Sequence, residues 1–104
     1  MVDNTLYLSG QICINPKTGN LVNGDIISET KQVMTNLSEI LKEAGFDFSN
    51  VVKTTIFVKD LGDFAAINAT YGEYFSADFP ARETVEVSRL PKDVHVEISC
   101  ISVK

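Results

Sequence analysis

The sequence has little of what binding to nucleic acid or insertion into a membrane requires. Nine lysines and arginines stand against fourteen aspartates and glutamates, which gives a formal net charge of −5. General affinity for nucleic acid depends on basic patches that displace counterions, and the lysines of this chain are dispersed. No apolar run approaches the roughly 18 residues that span a bilayer. We therefore expect no membrane partner and no nucleic-acid partner.

The N-terminal stretch, MVDNTLYLSGQ, also lacks the basic segment and the apolar segment of a secretory signal peptide, so we expect a cytoplasmic protein. Cysteine is scarce as well. The two that are present, Cys13 and Cys100, do not have the spacing of metal ligands, and no metal site is predicted. Because the cytoplasm is reducing, both cysteines are expected to be free thiols.

Histidine is almost absent, which limits the kinds of catalysis that the sequence supports. His95 is the single histidine, and no cysteine or acid completes a recognisable triad with it in the sequence. Ser9 does not form a nucleophile elbow, because the pattern G-x-S-x-G is absent. We therefore expect His95 to be a surface or interface residue.

No repeat, low-complexity tract or linker divides the 104 residues, and we expect one domain over residues 1–104. The stretch TLYLSGQICI is typical of a strand, and the turn NPKTGN follows it. Apolar residues recur at helical spacing between Val33 and Ala44 and predict a helix. Asp25 or Ser28 is expected to cap its start, and Gly45 its end.

The second half of the chain predicts a strand, a helix and two more strands. VVKTTIFVKD is rich in β-branched residues, and Asp63 can cap a helix that follows it. The alternating stretches FPARETVEVSRL and VHVEIS are joined by LPKD, which we interpret as a hairpin-like turn. The predicted order is β-β-α-β-α-β-β, an α+β fold in which two helices cover one face of a sheet. The second helix is expected to carry, on one side, Phe64, Ile67, Tyr71, Tyr74 and Phe75.

The last two predicted strands carry charged residues, although a chain of 104 residues forms only a small hydrophobic core. The face covered by the helices is expected to hold Val85, Val87, Val94, Val96, Ile98 and Cys100. The opposite face is expected to hold Thr84, Glu86, Glu97 and Ser99, together with Phe57, Ile101 and Val103. A face that mixes polar and apolar residues suits a subunit interface with a wet cleft at its edge. Subunits that pack their sheets around an axis would form a closed assembly, most simply a ring.

Three stretches of the sequence resemble a known family. They are SGQICINPKTGNLV, VVKTTIFVKDLGDFAAINATY and FPARETVEVSRLPKDVHVEIS, and they are similar to the signatures of the Rid/YjgF family of reactive-intermediate (enamine/imine) deaminases. The resemblance covers nearly the whole chain and is most specific from Pro80 to Glu97. It implies a chorismate-mutase-like (YjgF-like) α+β sandwich with a mixed sheet, and a trimer whose sheets form a central barrel. Each cleft between subunits would then hold an active site.

The resemblance also implies the reaction. Members of the family hydrolyse 2-aminoacrylate-type enamines and their imine tautomers to 2-oxo acids and ammonia, without a metal or an organic cofactor. The implied small-molecule partners are therefore imino acids and 2-oxo acids. Most members begin with a further strand that contains a sequence like AIGPYSQA, whose tyrosine lines the site. That sequence is absent here, and we expect the N-terminal family strand to be missing from this chain.

Residue by residue, the resemblance assigns roles to four positions. Arg82 matches the arginine that holds the substrate carboxylate, and Glu97 matches the acid that positions or activates water. Thr84 and Gly10 match positions whose backbone contacts the ligand or lines the pocket. Asn68, on the second helix, either faces the site or bonds within a helix–loop contact.

The residue types fit this chemistry, and structural roles also remain open. Arginine grips a carboxylate with two parallel hydrogen bonds, although Arg82 could equally be a solvated arginine after a loop. A carboxylate in mid-strand is unfavourable unless it is exposed or paired. Glu97 therefore either holds a water molecule against the imine carbon or forms an interface ion pair, with Lys53 or Arg89 as the candidates.

Two other functions compete with the deaminase. One is a non-enzymatic trimer that binds small carboxylates and regulates a partner. The other is a ribonuclease or translation inhibitor, a name that members of the family have also carried. The net charge of −5 and the absence of a basic–aromatic surface weigh against the second alternative.

Overall fold

The computed structural model describes residues 1–104 and contains two α-helices and four β-strands. Short 3-10 turns precede β2, α2 and β4. Neither helix has the length and apolar character needed to cross a membrane. The elements are β1 (Thr5–Gln11), α1 (Ile26–Glu43), β2 (Val51–Val58), α2 (Phe64–Gly72), β3 (Ala81–Glu86) and β4 (Val96–Val103).

The four strands form one mixed sheet in the order β1-β4-β2-β3. Strand β4 is antiparallel to both β1 and β2, whereas β2 and β3 are parallel. The two helices pack against each other and against one face of the sheet, where the core lies. The predicted α+β class, with a mixed sheet and two helices on one face, is confirmed. We call the other side of the sheet the open face; it carries Tyr7, Phe57, Val85, Glu97, Ser99, Ile101 and Val103.

Helix α1 forms where the sequence predicts it. Its N-terminus is capped by Asp25, whose carboxylate accepts a hydrogen bond of 2.8 Å from the backbone N–H of Ser28. The apolar stripe that includes Val33 and Leu37 is buried against the sheet. Gly45 follows the helix with a φ of 81°, a conformation that glycine adopts without strain.

Helix α2 begins beside the predicted cap but is not held by it. Asp63 occupies the N-cap position and makes no capping hydrogen bond through its side chain. Asp60 instead caps the preceding 3-10 turn by accepting a bond of 2.8 Å from the N–H of Gly62. The predicted aromatic side of the helix is largely correct, because Tyr71 and Phe75 are both buried, although α2 itself ends at Gly72.

Two predictions about strand order are wrong. The second of the five predicted strands is reduced to a single bridge between Ile14 and Leu21. The stretch LPKD is not a hairpin turn, because β2 lies between β3 and β4. Strands β2 and β3 are joined through α2, and a helical crossover of this kind makes consecutive strands parallel neighbours.

The predicted faces are correct for β4 and wrong for β3. In β4, Val96, Ile98 and Cys100 are buried beneath the helices, and the residues between them lie on the open face. In β3, the register pairs Arg82 with Thr54 and Val85 with Phe57, so it is Val85 that lies on the open face.

Because β3 is an edge strand that the helices leave largely exposed, polar residues remain on its helix side at little cost. Thr84 and Glu86 therefore share the helix side with Arg82, contrary to the prediction. Val87, just beyond the end of β3, packs against the core as expected.

Candidate active site

Arg82 is held by a neutral environment at the edge of the sheet. Its guanidinium Nη1 donates a hydrogen bond to the side-chain oxygen of Asn68 on α2. The guanidinium carbon lies 5.4 Å from the ring centroid of Phe64 and 5.3 Å from that of Tyr71. No acid of the chain forms an ion pair with Arg82. Its positive charge is therefore fixed in place and not neutralised within the chain.

The ring of Tyr71 is itself locked in position. Its hydroxyl lies 2.8 Å from Oγ1 of Thr54, which is buried in β2. Burial raises the pKa of the Tyr71 hydroxyl, against the smaller opposing effects of the Thr54 hydrogen bond and the Arg82 charge. Tyr71 is thus a neutral phenol at ordinary pH, and it gives Arg82 a rigid wall and no counter-charge.

A pocket of about 430 Å³ opens beside the guanidinium. Phe79, a residue that is 65% exposed, forms one side of it, and Pro80 restricts Phe79 to an extended backbone. Apolar walls with a few polar groups at fixed positions are typical of small-molecule sites. The lining residues are Asn68, Tyr71, Gly72, Phe79, Pro80 and Arg82.

Thr84 lies two residues beyond Arg82, on the same side of β3. Its side-chain oxygen is buried and has no hydrogen-bond partner within the chain. The side chain therefore gains no polar contact from this chain alone.

Glu97 and Gly10 meet on the other side of the molecule. Glu97 lies on the open face beside Phe57 of β2, and its side chain packs over the backbone of Gly10, where β1 bulges between Leu8 and Gln11. A Cβ added to Gly10 would lie 2.6 Å from Oε2 of Glu97. A side chain at this position would therefore displace the Glu97 carboxylate.

The structure brings the predicted site residues together in two groups and keeps the groups apart. Arg82, Asn68 and Thr84 lie on the helix side of the sheet. Glu97 lies on the open face two strands away from β3, and Gly10 lies beside it in β1. The side chain of Asn68 accepts a hydrogen bond from Arg82, and its role toward a ligand stays a prediction.

The ion pairs considered for Glu97 do not form within the chain. The amine of Lys53 lies 3.4 Å from the carboxylate of Glu83, and Nε of Arg89 lies 2.6 Å from that of Asp93. Glu97 itself forms no ion pair with any residue of this chain.

The partner of His95 is not evident from the sequence. The carboxylate of Glu29 in α1 is fully buried, and its Oε1 lies 2.8 Å from Nδ1 of His95, whose side chain is half-exposed. Glu29 precedes Val33 by four residues and so continues the buried stripe of α1. An acid at a buried helical position was the available signal, but nothing in the sequence indicates its partner.

No three histidine, cysteine or acidic side chains cluster in a way that could hold a metal ion. Cys13 and Cys100 are free, as predicted. Both are also buried, and burial raises the pKa of both thiols. Neither cysteine has the exposed, lowered-pKa environment of a nucleophile.

Comparison with known proteins gives a consistent result. The family model described as Endoribonuclease L-PSP matches residues 1–104. A goat (Capra hircus) protein named 2-iminobutanoate/2-iminopropanoate deaminase is 49% identical over 104 residues, which are 100% of this chain and 76% of the goat protein. The crystal structure of the Escherichia coli yjgF gene product superimposes with a TM-score of 0.95 at 48% identity, covering 100% of this chain and 84% of that one.

A second E. coli structure, of TdcF with bound serine, has a TM-score of 0.95 and 36% identity, with 100% of this chain and 84% of that chain covered. The family match spans the chain, and the goat relative is 49% identical over the full length of this chain. The chain therefore belongs to the Rid/YjgF family, which the matching model describes as Endoribonuclease L-PSP, and it is an enzyme of the hydrolytic deaminase type.

Proposed function

We propose that the protein hydrolyses 2-aminoacrylate-type enamines and their imine tautomers to 2-oxo acids and ammonia. The observation that carries the proposal is Arg82, an arginine without an acidic partner that is fixed beside a pocket by Asn68 and two aromatic rings. Such a guanidinium is ready to bind the carboxylate of a small imino acid through two parallel hydrogen bonds. The names of the goat and human relatives, 2-iminobutanoate/2-iminopropanoate deaminase, agree with a substrate of this class.

We further propose that the site is completed between two copies of the chain. Arg82 and Glu97 are on opposite faces of one sheet, so a substrate of three or four carbons cannot reach both within one chain. The open face, on which Glu97 lies, also exposes Tyr7, Val85 and Val103, at 65%, 45% and 42%. Exposed apolar side chains beside polar ones are typical of a subunit interface, and a homotrimer closes it symmetrically.

The reaction needs a carboxylate anchor and a positioned water molecule. Arg82 of one subunit binds the substrate carboxylate, and Glu97 of the neighbouring subunit holds water against the imine carbon. When the water oxygen bonds to that carbon, the π electrons of the C=N bond move to nitrogen and Glu97 accepts a proton. Glu97 returns that proton to the nitrogen, and the hydroxyl proton of the tetrahedral intermediate follows by the same route. Ammonia then leaves as the C–N bond breaks and the carbonyl forms. Positioning and fixed charges supply the catalysis.

The backbone near Thr84 and near Gly10 completes the proposed site. Thr84 follows Arg82 by two residues on the same side of β3, so its main chain lies where a ligand bound to Arg82 would pass. Gly10 lets the Glu97 carboxylate lie against its backbone, because it has no side chain to block the approach. These two positions orient the ligand without contributing a titratable group.

The decisive test measures release of ammonia and 2-oxo acid from freshly generated 2-aminoacrylate. We expect Arg82→Ala to lose roughly 2–4 kcal/mol of transition-state stabilisation, the scale for removing one preorganised electrostatic group. Because Arg82 is exposed and has no acidic partner, its removal is expected to change the free energy of unfolding by about 1 kcal/mol or less. Binding of 2-oxobutyrate that depends on Arg82 without any turnover would favour the non-enzymatic binder instead.

Glu97→Gln tests the other half of the site. The substitution keeps the shape of the side chain over Gly10 and removes its charge, so we expect binding of a 2-oxo acid to be retained while kcat falls. Normal turnover by Glu97→Gln would assign a structural role to this residue.

A further inference from the structure

Glu29 is a buried carboxylate that takes no part in the proposed site. It lies in the first turn of α1 and is 0% exposed. Its Oε2 accepts hydrogen bonds from the backbone N–H groups of His95, at 2.7 Å, and Val96, at 2.9 Å. Its Oε1 lies 2.8 Å from Nδ1 of His95. We call this arrangement of one carboxylate and three donors the Glu29 clamp.

The clamp replaces a missing part of the sheet. Pairing between β1 and β4 stops at Gln11 and Ile98, so residues 95–97 have no partner in β1. On the other side, the N–H of Lys59 donates to the carbonyl of His95 at 2.9 Å, which keeps this end of β4 against the chain that follows β2. The N–H groups of His95 and Val96 would be left without a partner in the sheet if Glu29 did not accept them.

A carboxylate is well suited to this place. It is an acceptor without a proton to donate, so both oxygens match N–H groups, and hydrogen bonds to a charged acceptor are stronger than neutral ones. The N-terminus of α1 also favours a negative charge in its first turn. Glu29 is fully buried, and its charge adds to the effect of burial in raising the pKa of the Cys13 thiol.

The clamp acts one residue away from Glu97. Val96 points into the core and is fully buried, whereas Glu97, the next residue, points to the open face and packs over Gly10. The Glu97 side chain is therefore limited by Gly10 on one side and by the fixed backbone of Val96 on the other. Without the clamp, the end of β4 would be joined to the sheet by β2 alone.

We propose that Glu29 is a positioning residue for Glu97: by fixing the start of β4, it holds the Glu97 carboxylate in its catalytic place. This inference rests on the proposed deaminase function. The carboxylate anchor is independent of the clamp, because Arg82 is held by α2 at the other edge of the sheet. Loss of the clamp should thus affect turnover and leave substrate binding intact.

The test compares Glu29→Ala with Glu43→Gln, an exposed glutamate of the same helix, as the matched control. We expect Glu29→Ala to lower kcat by roughly 10–100-fold, the scale for a misplaced catalytic group, with KM and 2-oxobutyrate affinity unchanged. Glu29→Gln, which can still offer a carbonyl oxygen to the two N–H groups, should recover most of kcat. His95→Ala keeps both backbone bonds and should lower kcat less than Glu29→Ala does.

A double variant separates positioning from general damage to the fold. If Glu29 acts through Glu97, adding Glu29→Ala to Glu97→Gln causes no further loss of kcat. Three results would each overturn the inference. The losses of kcat could multiply in the double variant, or Glu29→Ala could lower kcat and 2-oxobutyrate affinity equally. The third such result is a His95→Ala variant as slow as Glu29→Ala. If Glu29→Ala does not fold, Glu29→Asp replaces it in the same comparison of single and double variants. The aspartate side chain is one methylene shorter, so its carboxylate stops short of the position that the Glu29 carboxylate occupies. A wild-type protein without turnover would instead refute the proposed function itself.

Discussion

A site shared between subunits makes a quantitative prediction for mixed oligomers. Take two variants, Arg82→Ala and Glu97→Gln, each of which is expected to be nearly inactive alone. In the structure these residues lie on opposite faces of one sheet, so each proposed site takes its arginine from one copy and its glutamate from another. When the two variants are denatured together and refolded as mixed oligomers, some sites should regain both residues.

The expected recovery follows from counting. In an equal mixture, half of the copies carry an intact Arg82 and the other half an intact Glu97. A site drawn at random therefore combines both intact residues in about a quarter of cases, if each interface is formed in one direction around a ring. The mixture should recover about a quarter of wild-type activity. A site within one chain would recover nothing.

The matched control mixes wild type with the double variant Arg82→Ala/Glu97→Gln in equal amounts. A site between subunits again predicts about a quarter of wild-type activity, whereas a site within one chain predicts about a half. Ammonia release from 2-aminoacrylate is the assay for both mixtures. The reasoning is refuted if the first mixture is no more active than the two variants measured separately and the control mixture retains a half.

Three further predictions concern assembly, redox state and pH. Light scattering at micromolar concentration should give three times the chain mass of 11.4 kDa, and a monomer would contradict the trimer that we propose. Without reductant, both cysteines should react with a thiol reagent in the unfolded protein. They should not react in the folded protein, because they are buried with raised pKa values. Absence of thiols after unfolding would indicate a disulfide. The hydrogen bonds from Ser28 hold the pKa of Asp25 below its ordinary value. The Asp25 carboxylate therefore stabilises the fold fully when the pH is above the ordinary pKa, and this stabilisation is lost as the pH falls through the lowered pKa. In thermal melts, the Tm of wild type should therefore exceed that of Asp25→Asn by less as the pH falls. A difference in Tm that stays constant would show that the charge of Asp25 does not stabilise α1.

The features that sequence reasoning predicted correctly depend on short stretches of chain. Helix α1 follows from apolar spacing between Val33 and Leu41, from the cap at Asp25 and from Gly45. The faces of β4 follow from strict alternation. The family assignment likewise comes from contiguous stretches, and the comparisons confirm it. Periodicity, capping and glycine at a positive φ are local properties, so the order of the residues reveals them directly.

Features that depend on pairing between distant stretches were predicted less well. The alternation of β3 is visible, but which of its faces meets the helices is decided by its parallel register with β2, which places Val85 on the open face. The LPKD stretch resembled a hairpin turn, yet β2 separates the two strands that it joins. Strand neighbours are chosen by packing of the whole sheet, which a local pattern does not encode.

The candidate site likewise has features that the sequence reveals and features that only the packed chain reveals. From the sequence came the residues and their chemistry: an arginine suited to a carboxylate, a glutamate in mid-strand and a glycine that matches a pocket-lining position of the family. The tertiary structure decided that Arg82 joins Asn68 while Glu97 joins Gly10 on the other face, and that Glu29 reaches His95 across 66 positions of chain. Side-chain chemistry belongs to each residue by itself, whereas proximity across a sheet or between a helix and a distant strand exists only after the chain has packed.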